Sequence, residues 1–370
     1  MPTLPDPKKL ICLLAICLVS VFTLKAQEKG ALKLIDWKPK SQLVVSRHEV
    51  LKPKFAVIDF HNHLGKLDDT EKFLEEMDKA NVRMAVSLDG HSKNFFYREH
   101  LKKSQSVPGD RFMVFFAPEW DRIDEANFGI NEAKRLEEAV KLGARGVKVF
   151  KQLGLTVKDK SGKVVPVDDP RLDPIWAKCG ELGIPVLIHV SDPKAFFTPL
   201  DEHNERYDEL GVHPEWSFYG DQYPDKEVII QQRNRVLEKH SKTIFVGAHV
   251  SNMPEELGRV ALWLDQYPNF YTEIGARISE LGRQPYTARK FLIKYQDRIL
   301  FGTDLTPSYS VYKMYYRFLE TEDEYIDPWE TGHMQGRWMI YGVHLPDEVL
   351  EKIYNKNAMK LLNLPGNKPK

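Results

Sequence analysis

The feature that most constrains the fold of this chain is a regular alternation of short apolar segments with amphipathic ones. Eight apolar segments rich in β-branched and aromatic residues have the composition of buried strands, namely residues 55–65, 82–90, 112–120, 146–150, 184–193, 243–252, 269–277 and 298–305. Helical patterns separate or follow them, over residues 69–80, 94–104, 131–142, 171–182, 226–240, 254–267, 285–296, 310–320 and 346–362. Eight such units predict a (β/α)8 TIM barrel, with an insert after strand five and a C-terminal helical extension.

The first 26 residues have the pattern of a secretory signal peptide. Lys8 and Lys9 precede an apolar run over residues 10–24, which is shorter than the ~20 residues of a membrane-spanning helix. We therefore expect cleavage after Ala26 and a periplasmic or secreted protein. A retained membrane anchor and a lipoprotein cut at Cys17 are the alternatives. Residues 27–54 are predicted to form a polar arm, and residues 55–365 the barrel.

The charge balance excludes some classes of partner. The chain has 53 basic and 53 acidic residues, and residues 1–26 contain three lysines and one aspartate, so their removal leaves a net charge near −2. Such a chain has no general attraction to nucleic acid or to an anionic membrane surface. We expect a small-molecule substrate as the partner, and self-association into a homo-oligomer stays open.

Polar residues stand at the ends of several predicted strands. The first strand-type segment, FAVIDFHNHLG, ends in His61 and His63, and residues i and i+2 of a strand point to the same side. His189, His249 and Asp304 end later strands. In a TIM barrel all these strand ends face one mouth. One histidine there can be an ordinary buried residue, but four histidines with an aspartate predict a metal site.

The same residues carry a family resemblance. The HNH after the first strand, the two later histidines and the aspartate of FGTD resemble the metal-dependent amidohydrolase superfamily. The similarity is greatest to its amidohydrolase-related group (amidohydrolase 2), which includes enzymes of the aminocarboxymuconate semialdehyde decarboxylase type, and it covers residues 55–362. The resemblance implies a mononuclear site with His61, His63, His189 and Asp304 as ligands and His249 near the metal-bound water. The implied ion is divalent, most often zinc, with manganese and iron as alternatives.

The ligand set predicts a metal-dependent hydrolase that cleaves a C–N or C–O bond of a small amide, lactone or ester. A divalent ion lowers the pKa of its water to about 7; Asp304 would accept the proton, and His249 would orient the water or stabilise the oxyanion. The resembled group also includes non-hydrolytic enzymes, so the alternative is a decarboxylase or hydratase of a carboxylated aromatic or muconate-like substrate. A carbohydrate-active enzyme using Glu119 and Glu273, or a non-catalytic binding protein, explains the histidines less well.

Lys148, Arg277 and Trp120 are candidate substrate-binding residues. Lys148 alternates with two valines in GVKVF and is predicted to point into the barrel. There it could be a carboxylated bridge in a binuclear metal site, pair with Asp304, or bind a substrate carboxylate. Arg277, after the seventh strand, could hold a carboxylate through two hydrogen bonds.

Other polar and aromatic residues follow the predicted strands. Solvated loop side chains are the simpler expectation for Asp89, His91, Glu119 and Glu273. The insert, residues 194–225, is rich in aromatic residues and is predicted to form a lid or pocket wall, or to pack on another subunit; its His203 and His213 are not expected to bind metal. Residues 327–338 invite the same two interpretations.

Overall fold

The computed structural model describes Lys33, residues 40–328 and residues 335–365, and its central element is a sheet of eight parallel strands. The strands are β1 Val57–Asn62, β2 Val82–His91, β3 Phe112–Ala117, β4 Gly146–Val149, β5 Val186–Ile188, β6 Phe245–Gly247, β7 Phe270–Glu273 and β8 Ile299–Leu300. Each strand pairs with the next in sequence. The Phe60 N–H donates to the Phe301 carbonyl at 3.0 Å and the Asp304 N–H to the His61 carbonyl at 2.8 Å, so the chain after β8 lies against β1. The predicted (β/α)8 TIM barrel is confirmed.

Helices connect the strands and cover the sheet. They are α1 Thr70–Lys79, α2 Phe96–Ser106, α3 Phe128–Lys141, α4 Asp173–Leu182, α5 Tyr207–Val212, α6 Lys226–Lys239, α7 Leu257–Gln266, α8 Ile278–Gly282, α9 Pro285–Lys294, α10 Tyr309–Glu320, α11 Asp347–Glu351 and α12 Asn357–Leu361. A π-helical turn, Lys352–Lys356, joins the last two. Single turns lie at Gln152–Leu155 and Ala248–Ser251. The long helices bury residues three or four positions apart, such as Phe73 and Met77 of α1, as their sequence pattern predicts.

Strands β5, β6 and β8 are shorter than the sequence pattern suggests. β6 has three residues within the predicted segment 243–252, and β8 has two within 298–305. The residues that follow leave the hydrogen-bonded ladder but stay buried at the mouth of the barrel. The apolar pattern therefore continues into the loops, which is why sequence periodicity overestimates the strand length.

The barrel interior holds its own apolar cluster. It consists of Ile58, Phe60, Met84, Val86, Leu88, Met113, Phe115, Leu187, Val246, Ala248, Tyr271 and Leu300, with Ala358, Met359, Leu361 and Leu362 from the C-terminal helix region. Asn355 donates to the Ala56 carbonyl just before β1, and Asn357 to the Ile299 carbonyl at the start of β8, both at 2.7 Å. The C-terminal helices therefore close the barrel at the end where the strands begin.

A register shift in β1 accompanies the change from interior apolar residues to site residues. Asp59 pairs with Ala85 and Asn62 with Ser87, so three steps along β1 correspond to two along β2. One extra residue in a strand re-aims the side chains that follow it. Phe60 can therefore pack in the interior while His61 and His63 still face the mouth.

The chain divides into two compact units, residues 1–44 and 45–370. In the first, Lys33 and residues 40–44 have no regular secondary structure. In the second, residues of the predicted arm contact the barrel: the His48 N–H donates to Oδ2 of Asp323 at 2.8 Å. The predicted signal peptide, residues 1–26, lies outside the described residues. Within the described part of the chain, no helix is long and apolar enough to cross a membrane.

Candidate functional site

Three side chains at the carboxyl ends of β1, β6 and β8 form a close group. The candidate ligand atoms of His61, His249 and Asp304 all lie within 4.8 Å of one another. Nε2 of His61 is 2.9 Å from Oδ1 of Asp304, and Nε2 of His249 is 3.7 Å from Oδ2. Both histidines are buried, while the Asp304 side chain is 27% exposed. These three residues could hold a metal ion.

The other two predicted ligands lie at the edges of this group. Nε2 of His63 is 3.2 Å from Oδ1 of Asp304, and its side chain opens towards solvent. The His189 ring meets the His249 ring edge-on, with centroids 4.5 Å apart. Nε2 of His189 is buried without a hydrogen-bond partner and lies 3.4 Å from Oδ1 of Asp192. Asp304 is therefore the residue on which His61, His63 and His249 converge, whereas His189 contacts this group only through the His249 ring.

The opposite ring nitrogens of three histidines already have acceptors. The contacts are His61 Nδ1 to Glu273 Oε1 at 2.9 Å, His63 Nδ1 to Asp89 Oδ1 at 2.9 Å, and His249 Nδ1 to the Gly275 carbonyl at 2.8 Å. An acceptor at Nδ1 favours the tautomer with its proton there and leaves the Nε2 lone pair free. All three Nε2 lone pairs then face the carboxylate of Asp304.

This arrangement is a test of whether the residues fit a metal ion. A neutral imidazole that donates its Nδ1 proton presents only a lone pair at Nε2, so acceptors face acceptors around Asp304. Nζ of Lys148 beside Nε2 of His61, and a second proton on the His63 ring, relieve this conflict in part. A second proton on every ring, or one metal ion among the facing atoms, relieves it for all three histidines. Several imidazolium groups in a buried site are costly, and imidazole nitrogens with a carboxylate oxygen are ordinary ligands of zinc, manganese and iron. The residues fit a divalent ion.

The pKa values of Asp304, His189 and His249 agree with a ligand role, whereas the pKa of His63 in the metal-free protein favours a protonated ring. Burial would raise the pKa of Asp304, but His61 and His249 outweigh it and hold the pKa well below the ordinary value, so the carboxylate is ionised. Burial lowers the pKa of His189 to about 4 and that of His249 well below its usual range, so both rings stay neutral. Burial also acts against the charged form of His63, but hydrogen bonds with Asp304 and Asp89 raise its pKa to about 9.

In the metal-free protein, we expect His189 and His63 to contribute to the free energy of unfolding with opposite dependence on pH. Between about 6.5 and about 4 the unfolded state binds more protons than the folded state at His189, so stability falls as the pH is lowered. The contribution of His63 is full below about 6.5 and is lost as the pH rises through about 9. Urea unfolding of chelator-treated protein at a series of pH values measures both contributions, the one below pH 6.5 (the acid limb) and the one above it (the alkaline limb). His189→Asn should flatten the acid limb and His63→Asn the alkaline one; unchanged limbs would contradict the assignment.

Two residues that the sequence suggested were solvated are instead partners of the histidines. Glu273 is fully buried, and Asp89 is largely buried and also accepts the Gly65 N–H at 2.8 Å. A Cβ atom at Gly275 or Gly302 would lie 2.6 or 2.7 Å from Oε2 of Glu273, so the backbone encloses this carboxylate closely. The expectation of loop solvation is wrong for both residues. The period-2 pattern of FYTE, which places Glu273 on the inward face with Tyr271, was the available signal.

Lys148 points into the barrel, as predicted, and is fully buried. Its Nζ lies 3.2 Å from Nε2 of His61, which is its hydrogen-bond partner in place of the expected Asp304, and 5.2 Å from the centre of the Phe150 ring. Burial lowers its pKa to about 8. The carboxylated, metal-bridging form stays a prediction.

Arg277 does not face the open mouth. Its side chain is 7% exposed; Nη1 donates to the Ala276 carbonyl at 2.7 Å and Nη2 lies 3.7 Å from Oδ1 of Asp192. Asp192, which follows β5, also accepts from Nζ of Lys151 at 2.5 Å and was not singled out from the sequence. Arg277 is therefore engaged with the loop after β5, and a role in gripping substrate stays a prediction.

An open cleft of about 1250 Å³ lies beside the metal-ligand group and meets it at His63. Its aromatic lining residues are Phe73, Phe96, Trp120 and Phe150. The His91 ring, also in this wall, stacks on Phe150 with centroids 5.4 Å apart. Trp120 lines this cleft, whereas Lys148 and Arg277 do not; a role of Trp120 in substrate binding stays a prediction.

The two aromatic segments do not line this cleft in the described part of the chain. In the insert, Phe197 and Phe218 pack on each other with centroids 5.6 Å apart and bound a smaller pocket. The His213 ring stacks on Trp216, and His203 is exposed, so neither joins the metal-ligand group. In the second segment, Trp338 lies against Arg283, and residues 329–334 lie outside the described residues.

Comparisons with solved structures support this fold. The structure is similar to 2,6-dihydroxybenzoate decarboxylase from Rhizobium, with 16% identity, a TM-score of 0.53, and coverage of 84% of this chain and 99% of that one. The structure is also similar to 5-carboxyvanillate decarboxylase from Sphingomonas paucimobilis, with 10% identity, a TM-score of 0.51, and coverage of 84% of this chain and 99% of that one. An uncharacterised TIM-barrel protein from Bordetella bronchiseptica has 18% identity and a TM-score of 0.51, with coverage of 85% of this chain and 99% of that one. At these identities the likeness shows the fold.

The sequence comparisons decide the family. A search among curated proteins gave no match. The family model Amidohydro_2, described as amidohydrolase, matches residues 58–364, which include all eight strands of the barrel except Val57 at the start of β1, and every predicted metal ligand. The match confirms the resemblance inferred from the histidines and Asp304, and the chain belongs to the amidohydrolase family.

Proposed function

We propose that this chain is a metal-dependent, non-oxidative decarboxylase of a carboxylated aromatic compound. The observation that carries the proposal is a fully buried cation, Lys148, which does not itself line the aromatic cleft but lies next to His61 and to the Phe150 ring in the cleft wall. A buried ammonium group needs an anionic or strongly polar partner, and a carboxylate supplies one. The two structurally similar decarboxylases named above also favour decarboxylation as the proposed reaction.

The metal would be bound by His61, His63, His189 and Asp304, with His249 beside it. The chain offers nitrogen and oxygen ligands here, since its buried Cys179 lies in α4, away from the mouth. Zinc is our first candidate, with manganese and iron as alternatives. When bound, the ion supplies a Lewis acid for a carboxylate or phenolate oxygen.

The chain's own residues account for binding and proton transfer. Phe150, Phe96 and Trp120 would give apolar faces for an aromatic ring, and Lys148, next to Phe150, would pair with its carboxylate. Loss of CO2 leaves the electron pair of the broken C–C bond on the ring carbon, which must then receive a proton. Asp304 and His249, which are both unprotonated at rest, would relay that proton from solvent, which reaches the 27% exposed side chain of Asp304.

Hydrolysis, which the sequence first suggested, is the second candidate. The observation that favours it is the exposure of Asp304 and His63, whose side chains are 27% and 35% accessible to solvent. Water can therefore reach the carboxylate on which the histidines converge, as hydrolysis of an amide or ester requires.

We expect the metal-loaded protein to release labelled CO2 from hydroxybenzoic acids that carry 13C in the carboxyl group. A parallel panel of amides, lactones and esters of similar size tests the second candidate. Lys148→Met should lower kcat/KM for decarboxylation about thirtyfold, corresponding to ~2 kcal/mol for a lost hydrogen bond to a charged group. Lys93→Met, at the solvated rim of the cleft, is the matched control. Cleavage of the amide or ester panel without CO2 release would reject the decarboxylase in favour of hydrolysis.

A further inference from the structure

The segment that carries His249 has a strained backbone. The φ angles of His249, Val250, Ser251 and Asn252 are 57°, 55°, 58° and 63°. None of these residues is glycine, and the left-handed conformation costs an L-residue roughly 1–2 kcal/mol. We call residues 249–252 the left-handed turn. Such a run persists only when surrounding contacts hold it.

Contacts from β7 hold the start of the left-handed turn. The His249 N–H donates to Oε1 of Glu273 at 2.6 Å, and its Nδ1 contacts the Gly275 carbonyl at 2.8 Å. The direction in which Nε2 of His249 points, towards Asp304, therefore depends on the backbone conformation of this turn.

Two buried cations from α6 hold the end of the left-handed turn. Nη1 of Arg233 donates to the Ser251 carbonyl at 2.6 Å, and Nζ of Lys226 donates to the Asn252 carbonyl at 2.7 Å. Lys226 also donates to the Asp192 carbonyl, in the loop after β5. Carbonyl groups at the end of a helical turn lack backbone donors, and cations stabilise them.

The surroundings of Arg233 show that packing does not account for its charge. The residue is fully buried, and no carboxylate of the described residues lies within ion-pair distance of it. Its other N–H groups contact Oδ1 of Asn234, and its guanidinium lies 4.4 Å from the Trp263 ring centre and 5.0 Å from that of Phe270. An apolar side chain of similar length could fill this space without the cost of burying a charge.

We propose that Arg233 is a positioning residue for His249, with Lys226 in a supporting role. Arg233 stabilises the left-handed turn through the Ser251 carbonyl, and the turn places the imidazole against Asp304. The consequence for metal binding rests on the proposed function, whereas the effect on the His249 ring does not.

The test uses the full chain labelled with 15N-histidine. Arg233→Met removes the guanidinium but keeps a long apolar stem against Trp263. Ser251→Gly relieves strain in the turn by removing the Cβ atom, and the hydroxyl lost with it has no hydrogen-bond partner. Arg259→Met is the matched control, because Arg259 also lies over Trp263 but pairs with Glu227. The readouts are the ring 15N signals of His249 in metal-free protein, assigned with His249→Gln, and zinc affinity measured against a chromogenic chelator.

Arg233→Met should displace the His249 ring signals and lower the zinc affinity about tenfold. Adding Ser251→Gly should restore both, and Arg259→Met should change neither. Unchanged His249 signals in folded Arg233→Met would overturn the proposal, as would a double variant that regains thermal stability but not the His249 signals. If Arg233→Met does not fold, the double variant decides: native His249 signals support the proposal, and an unfolded double variant overturns it. If the wild type binds no zinc, the proposed function fails, but the His249 signals still decide the positioning role.

Discussion

Replacing Asp304 with asparagine is expected to abolish metal binding and to reduce turnover by about a thousandfold or more. Among the residues that the structure describes, the Asp304 carboxylate is the one anion that faces the Nε2 atoms of three histidines, at 2.9 Å from His61, 3.2 Å from His63 and 3.7 Å from His249. An asparagine amide of the same shape removes the negative charge, and its NH2 group cannot bind a cation. The effect should therefore be on the metal site itself and not on the fold.

Elemental analysis of protein purified without chelator measures this result directly. We expect about one metal ion per wild-type chain and none in Asp304→Asn, with turnover of the labelled aromatic acids lost in parallel. The matched control is Asp121→Asn, because Asp121 is an aspartate of the nearby aromatic cleft that is 71% exposed and pairs with Lys93. Full metal content and full turnover in Asp304→Asn would contradict the proposed metal site. Two ions per chain in the wild type would instead favour carboxylated Lys148.

Replacing Glu273 with glutamine is expected to reduce both stability and metal affinity. Oε1 of Glu273 accepts from Nδ1 of His61 and from the His249 N–H, and Oε2 accepts from the Gly275 N–H. Whichever oxygen becomes an NH2 group, at least one buried N–H loses its acceptor. We expect the free energy of unfolding to fall by about 3 kcal/mol and the zinc affinity to fall by about ten- to a hundredfold.

Urea unfolding and zinc titration of Glu273→Gln separate these two effects. Glu227→Gln is the matched control, since Glu227 is half-exposed in its ion pair with Arg259 and should change stability by less than about 0.5 kcal/mol. A Glu273→Gln protein with wild-type zinc affinity would show that Glu273 supports the fold but does not orient His61.

Much of the fold was predictable because its signals are local. Period-2 and period-3.6 patterns located all eight strands and the long helices, and the same alternation placed Lys148 inside the barrel. Strand ends were less well predicted, because buried residues continue past β6 and β8 into the mouth. The left-handed turn, in particular, lies inside the segment that the sequence assigned to the sixth strand.

The partners of the histidines were harder to predict. Glu273 contacts His61 across 212 positions of sequence, and Arg277 lies against Asp192 and not at the open mouth. Taken one at a time, such polar residues after a strand are indistinguishable from solvated loop side chains. Their burial follows from the close approach of Gly275 and Gly302 to the Glu273 carboxylate, which only the folded backbone produces.

The sequence by itself determined the fold class, the family and the set of residues at the mouth, because a TIM barrel brings the carboxyl ends of all its strands to one face. Only the tertiary structure decided which of these residues touch. It made Asp304 the point on which the histidines converge, gave His61 and His63 carboxylate partners at Nδ1, and put His249 on a left-handed turn held by Arg233. Those contacts join strands and loops that are far apart in the chain. Which side chains come within a few ångströms of one another depends on how the whole barrel packs and not on any local sequence pattern.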